Sequence, residues 1–436
     1  MIFGKRKNIK TDLTGEELSK ITNKRICNAP FSALYFHPNG QITACCLNKN
    51  SFYYGHYPEN NLKQILNSIP RKLQQEYVSA GNFQLGCKTC LENIKANNFS
   101  GLMLNIYNPY DKKTIQRIDF ELSHFCNLDC IMCLRDKTGK SDNIYDVSFF
   151  SEIKTLLNKL KFTNFVGGEP FLIKEYYKIW YYLLDNNPQC EIYVQTNGTI
   201  LNDEIKRLLQ NKNFRIGISI DAVNKETYEK IRRKADFEKT IENFEYFNSI
   251  TKRKNQILQI SVCPIRFNRY EIHEIIKYFD EKDCVVFFNT VDFPKNLSLK
   301  YFNSAELQKL VEYYSEIIKE LKLKNDKNKS AFKGFLQQLK NWHQNSISRE
   351  AESVIVLKEE IIANLRTIET KYSEFYNEIL KNLPNKWYVD KIKYKEIQDI
   401  DYESKINQLL SAGKTKVEII NIAKEFFELY PYENLD

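Results

Sequence analysis

Between residues 112 and 295, short apolar runs alternate with stretches of helical period. The pattern predicts strands over 115–123, 162–166, 191–196, 215–221, 258–264 and 284–291. It predicts helices over 148–160, 174–186, 203–211, 236–250 and 271–280. Such alternation argues for right-handed βα crossovers and a parallel sheet. Strand parity adds a constraint. Ile118, Phe120 and Leu122 point one way, and Asp119, Glu121 and Ser123 the other. Ile216, Ile218 and Ile220 oppose Arg215, Gly217, Ser219 and Asp221; Leu258, Ile260 and Val262 oppose Gln259, Ser261 and Cys263. A parallel sheet buried on both faces would be apolar on both. The expected fold is therefore α/β, a partial (β/α)6 TIM-type barrel with helices outside and a polar inner side. Ligands are expected at the carboxyl ends of its strands.

The flanks differ. Residues 1–105 are mixed and carry cysteines, and 300–436 are rich in Lys, Glu, Leu and Ile with helical periods. A polar linker is expected at 323–330. Three domains are read: 1–105, 106–299 and a helical 300–436. The net charge of +9 is spread among 64 basic and 55 acidic residues, which is an ordinary solvated surface. Nucleic acid is not expected as a partner. No run approaches the roughly 20 apolar residues of a membrane span. The segment MIFGKRKNIK has no apolar core of a secretory signal, so a cytoplasmic location is expected.

Eight of the 11 cysteines fall in the first 133 residues. In a reducing compartment such a count points to metal binding. Cys126, Cys130 and Cys133 form C-x3-C-x2-C directly after the first barrel strand. Three thiolates can hold three irons of a cubane and leave the fourth open. From spacing alone, zinc remains an alternative. Upstream, Pro38-Asn39-Gly40 predicts a hairpin that brings Cys27 and Cys45 together, and Cys87 and Cys90 supply a second pair. Four thiolates suit zinc or a [4Fe–4S] cluster equally well.

Residues 126–133 resemble the radical S-adenosylmethionine (SAM) signature C-x3-C-x-Φ-C, with Met132 at Φ. Gly167-Gly168-Glu169-Pro170, Gln195-Thr196-Asn197-Gly198, Ser219-Ile220-Asp221 and Arg266-Phe267-Asn268-Arg269 resemble further family segments in the family's order. The resemblance covers about residues 112–295. It implies a [4Fe–4S] cluster on Cys126, Cys130 and Cys133, whose open iron chelates SAM. Reductive cleavage of SAM then gives a 5′-deoxyadenosyl radical that abstracts hydrogen from substrate. It implies that Gly167 and Gly168 let backbone approach the ligand and that Glu169 receives the SAM ammonium. Ser219 and Asp221 would meet the ribose or sulfonium region, with Asn197 in the same pocket. Cys27, the turn before Cys45, Gly55 and Cys87-x2-Cys90 resemble the auxiliary-cluster modules called SPASM or twitch domains. Here the module precedes the barrel rather than following it. One auxiliary [4Fe–4S] cluster is expected on Cys27, Cys45, Cys87 and Cys90, with Cys46 as the alternative to Cys45.

Proteins of this subgroup mostly modify ribosomally made peptides or proteins, by crosslinking, thioether formation, epimerisation or oxidation. That is the first functional expectation, with a one-electron donor such as flavodoxin or ferredoxin as partner. The helical 300–436 region could dock substrate or partner. Cys263, on the polar face of the fifth strand, is a candidate hydrogen-atom donor to a substrate radical. The alternatives are a radical enzyme acting on a sugar or nucleotide, and a non-catalytic iron–sulfur carrier or zinc-binding interaction protein.

Overall fold

The computed structural model describes residues 27–48, 51–95, 104–134, 144–382, 386–390, 395 and 397–426. Expectations for 1–26, 96–103 and 427–436, the signal reading among them, lie outside the described residues. Two compact units are present. One is Met1–Ile220 with Tyr228–Ser261; the other is Asp221–Thr227 with Val262–Asp436.

The strands of the first unit are β1 (Ala33–Phe36), β2 (Gln41–Thr43), β3 (Gly55–His56), β4 (Arg117–Phe120), β5 (Phe162–Phe165), β6 (Glu191–Thr196), β7 (Phe214–Ser219) and β8 (Gln259–Val262), whose last residue belongs to the second unit. Their spatial order is β3-β2-β1-β4-β5-β6-β7-β8. From β4 to β8 every pairing is parallel, as the strand–helix alternation predicts. The cysteine-bearing stretch joins the same sheet: β1 pairs parallel with β4 and antiparallel with β2. Its four residues Ala-Leu-Tyr-Phe are all buried, as a strand covered on both faces requires. The expected hairpin joins β1 to β2. Gly40 sits there at φ +87°, where a Cβ would stand 2.2 Å from the Tyr57 carbonyl oxygen.

Helices cover the sheet where the pattern places them. Helix Lys174–Asn186 buries Tyr176, Ile179, Trp180 and Leu183, one stripe of an amphipathic helix. Trp180 packs against Phe165, Phe171 and Phe214, and burial of each such side chain stabilises by about 1.5–3 kcal/mol. Asp146, Asn202 and Asp236 cap helices Val147–Leu157, Asp203–Leu209 and Phe237–Arg253 through side-chain oxygens. A helix at Lys225–Ile231 was not anticipated, because seven residues show too little periodicity.

The second unit holds β9 (Val285–Phe288), and the Asn289 N–H next to it donates to the Val262 carbonyl at 2.8 Å. Helices Ile272–Glu281, Ser304–Glu320 and Asp326–Glu352 follow the helical reading. The expected linker is corrected: from Asp326 on it is already helix, anchored by buried Asn328, which donates to Asp280 Oδ1 and the Cys284 carbonyl. Further on, helices Lys358–Glu369, Ser373–Asn382, Tyr402–Ser411 and Lys416–Phe426 share an apolar core that includes Ile361, Leu365, Ile379 and Ile406. The all-helical expectation fails at two places. β10 (Ser353–Leu357) pairs antiparallel with β11 (Lys386–Asp390). The run Ser-Val-Ile-Val-Leu has the β-branched composition that favours extended backbone.

Candidate active site and second cysteine site

The loop after β4 carries Cys126, Cys130 and Cys133, all partly exposed. It has no regular structure, so its shape comes from hydrogen bonds. The Asp129 and Ile131 N–H groups donate to the Arg233 and Ile231 carbonyls at 3.1 and 3.0 Å. The Leu128 N–H points at Cys126 Sγ from 3.4 Å.

Against this loop lies Gly167-Gly168. The Gly168 and Glu169 N–H groups donate to the Ser123 and Phe125 carbonyls, each at 2.8 Å. A Cβ on Gly168 would fall 1.7 Å from the Phe125 oxygen; one on Gly167, at φ +116°, would fall 2.6 Å from that of Ser123. The glycines are thus required by the cysteine loop itself, before any ligand is considered. Glu169 follows directly in the chain. It is fully buried, and its carboxylate accepts from Thr196 Oγ1 (2.7 Å), Phe171 N–H (3.2 Å) and Asn197 N–H (2.8 Å). These contacts tie Glu169 to the end of β6. Asn197 is likewise turned to the loop: its Nδ2 donates to Asn127 Oδ1 at 2.9 Å and lies 3.8 Å from Cys126 Sγ.

On the polar face of the sheet, Gln195 links three strands. Its Nε2 donates to Ser219 Oγ at 2.9 Å, and its Oε1 accepts from Tyr193 OH at 3.0 Å and Ser261 Oγ at 3.4 Å. Gly217 is small because Tyr193 OH occupies the space its Cβ would take. Toward the cysteine loop, Glu121 accepts from Tyr35 OH at 2.9 Å and faces His124 at 3.6 Å and buried His37 at 3.8 Å. Asp119 is engaged by the Arg117 guanidinium at 2.7 Å. Tyr35 and His37 were not singled out from sequence; Glu121 and Gln195 were placed there only by strand face and by a family-like segment, with no contact assigned.

In the second unit, Asp221 is fully buried. Its Oδ1 accepts the Cys263 N–H at 2.7 Å, while Asn268 Nδ2 donates to the Asp221 and Cys263 carbonyls. The two residues are thereby brought together, with Asp221 fixing the backbone of partly exposed Cys263.

Cys27, Cys45, Cys87 and Cys90 line one cavity with Ala44 and Phe83, as the hairpin argument anticipated for the first two. Cys45 is buried and lines the cavity; Cys46 is exposed and does not. Burial pushes the Cys27 and Cys45 thiols well up, and that of Cys87 to about 12. Neutral thiols here must lose protons when a cation supplies compensating charge. Buried donors are already aimed at sulfur: the Ala29 N–H at Cys27 Sγ (3.4 Å) and Gln74 Nε2 at Cys87 Sγ (3.9 Å). Among the described residues, Glu229, Asp236 and Glu238 form the only trio of His, Cys, Asp or Glu ligand atoms within 4.8 Å of one another. The thiol donors of both sets fit an iron–sulfur cluster.

Residues 120–279 match the family model of the Radical SAM superfamily, and residues 27–91 that of the SPASM iron–sulfur cluster-binding domain. AlbA of Bacillus subtilis, an antilisterial bacteriocin subtilosin biosynthesis protein, is 26% identical over 212 residues, 47% of this chain and 46% of AlbA. GTP 3′,8-cyclase of Aliarcobacter butzleri is 24% identical over 196 residues, 43% of this chain and 59% of the cyclase. The chain spans about half the length of the curated relatives it matches. Among solved structures, Streptococcus suis SuiB bound to its precursor peptide SuiA is 14% identical, with 58% of this chain and 60% of SuiB covered, at a TM-score of 0.36. No described helix is long and apolar enough to cross a membrane.

Proposed function

We propose that this chain, which belongs to the radical SAM superfamily and carries a SPASM domain ahead of its barrel, modifies a ribosomally made peptide or protein. It is an enzyme that uses a [4Fe–4S] cluster with SAM, and its SPASM domain implies an auxiliary cluster. The observation that carries the peptide reading is the cavity in which Cys27, Cys45, Cys87 and Cys90 meet. A second cluster site of this kind is typical of peptide-modifying radical SAM proteins, and the similarity to a bacteriocin biosynthesis protein supports the same reading.

With SAM bound, the cluster supplies a 5′-deoxyadenosyl radical to the substrate. In this reading Cys126, Cys130 and Cys133 hold that cluster, with Met132 at the apolar position of their loop, next to bound SAM. Gly167 and Gly168 present backbone to the SAM amino group, while Glu169 and Asn197 fix the loops around it. Ser219 lies on the polar face, where ribose or substrate would be met. Asp221 positions Cys263, which would give a hydrogen atom to a substrate radical. Residues 1–105, 106–299 and 300–436 serve as auxiliary module, barrel and docking region. The electron enters from a flavodoxin- or ferredoxin-type donor.

A second reading, a nucleotide substrate, is favoured by similarity to GTP 3′,8-cyclases, which reaches 30% identity over 151 residues. Anaerobic reconstitution with SAM and dithionite separates the two. Deoxyadenosine formation stimulated by a short peptide encoded beside the gene, with a mass change in that peptide, supports the first. Stimulation by GTP alone overturns it.

A further inference from the structure

We infer that two buried side-chain amides, Asn197 and Gln74, set the reduction potentials of the clusters at the two cysteine sites, each through one N–H···S contact. The inference rests on both sets holding iron–sulfur clusters.

Asn197 is 8% exposed. Its Oδ1 accepts from the Thr199 N–H at 2.9 Å and from Thr199 Oγ1 at 2.7 Å. Both donors fix the oxygen end, so the amide cannot flip without setting donor against donor. Its two Nδ2 hydrogens then face two acceptors, Asn127 Oδ1 at 2.9 Å and Cys126 Sγ at 3.8 Å. Asn127 is oriented by the same ring, since its Nδ2 donates to Thr199 Oγ1 at 2.8 Å. Behind it, Glu169 holds the Asn197 N–H at 2.8 Å.

Gln74 repeats the arrangement on unrelated elements. It is fully buried, and its Oε1 accepts from Tyr54 OH at 2.5 Å. Its Nε2 donates to the Leu85 carbonyl at 2.7 Å and lies 3.9 Å from Cys87 Sγ. In each case a group that is not a ligand fixes the amide oxygen, and one remaining N–H is left for the sulfur. An N–H dipole aimed at a ligand sulfur stabilises the reduced, more negative cluster and raises its potential. The Leu128 and Ala29 backbone N–H groups also point at Cys126 and Cys27 Sγ, each from 3.4 Å, but side-chain substitution leaves them in place.

The test is a redox titration of the full, reconstituted chain, followed by electron paramagnetic resonance, with each cluster serving as the other's control. Asn197→Ala should shift only the Cys126-bound cluster to a more negative midpoint. Gln74→Ala should shift only the auxiliary cluster. Asn127→Ala, which opens the ring but spares the N–H···S contact, should shift neither. Two clusters with unmoved potentials in Asn197→Ala and Gln74→Ala would overturn the assignment, as would equal shifts in Asn127→Ala and Asn197→Ala. If Asn197→Ala does not load iron, hyperfine spectroscopy on the wild-type chain labelled with 15N-asparagine reads the contact directly, and absence of a side-chain amide coupling overturns it. A wild-type chain that loads only one cluster fails at the underlying reading, and the iron count shows this before any titration.

Discussion

The two cysteine sites are built on opposite plans. Cys126, Cys130 and Cys133 come from one eight-residue loop, stay partly exposed, and are shaped by backbone of Gly168 and Glu169 and of the end of helix Lys225–Ile231. Cys27, Cys45, Cys87 and Cys90 come from three separate segments and close on one cavity. The first plan leaves a side open, as a cluster that must bind and cleave a small molecule requires. The second gathers four thiols around one cavity, with Cys45 buried and the other three partly exposed, which suits a cluster with a full set of protein ligands. Openness here follows from sequence locality: three ligands on one loop cannot surround a cluster, whereas four from separate segments can.

The strongest way to break this contrast is to remove one ligand from each site. Cys126→Ala should abolish deoxyadenosine formation. Cys45→Ala should lose about half the iron, the share of one of two four-iron clusters, while SAM cleavage without substrate persists. Cys46→Ala should keep full iron; full iron in Cys45→Ala together with its loss in Cys46→Ala would remove Cys45 from the set.

Gly168→Ala should come next. Its Cβ meets the Phe125 carbonyl at 1.7 Å, so the cysteine loop must move. We expect a stability loss of about 3 kcal/mol, measured by denaturant melts, and loss of iron from the Cys126 site alone. Glu169→Gln should be milder. It sets an amide donor against Thr196 or Asn197, and SAM cleavage should fall about 10–100-fold with both clusters present.

The smallest effect is in pH. Burial raises the folded-state thiols of Cys27, Cys45 and Cys87, the last to about 12. Above the ordinary thiol range the unfolded chain has lost protons that the folded chain keeps. Stability of the metal-free protein should therefore be full below that range and fall as pH rises from it toward about 12. Urea melts across pH should show this slope in the metal-free chain and a flatter one after cluster loading.

Much of this was legible from local pattern. The strand–helix alternation placed β6 and helix Lys174–Asn186 at their observed bounds. The Pro38–Gly40 turn brought Cys27 and Cys45 together. β10 and β11 were missed because each is short and set among helical periods. The parallel pairing of β1 with β4 was hidden for another reason: partners more than 80 residues apart leave no periodic trace.

The sequence by itself determined the chemistry: which thiols can bind iron, which strand faces are polar, and which loops must contain glycine. Those properties depend on residue type and short-range spacing, which the chain carries directly. Only the tertiary structure decided what each polar residue touches. It turned Asn197 toward Cys126, enclosed the Glu169 carboxylate among three donors, and set Asp221 behind Cys263. It also decided that Gly168 answers to the Phe125 carbonyl. Hydrogen-bond partners are chosen by proximity across strands far apart in sequence, and proximity exists only once the sheet has formed.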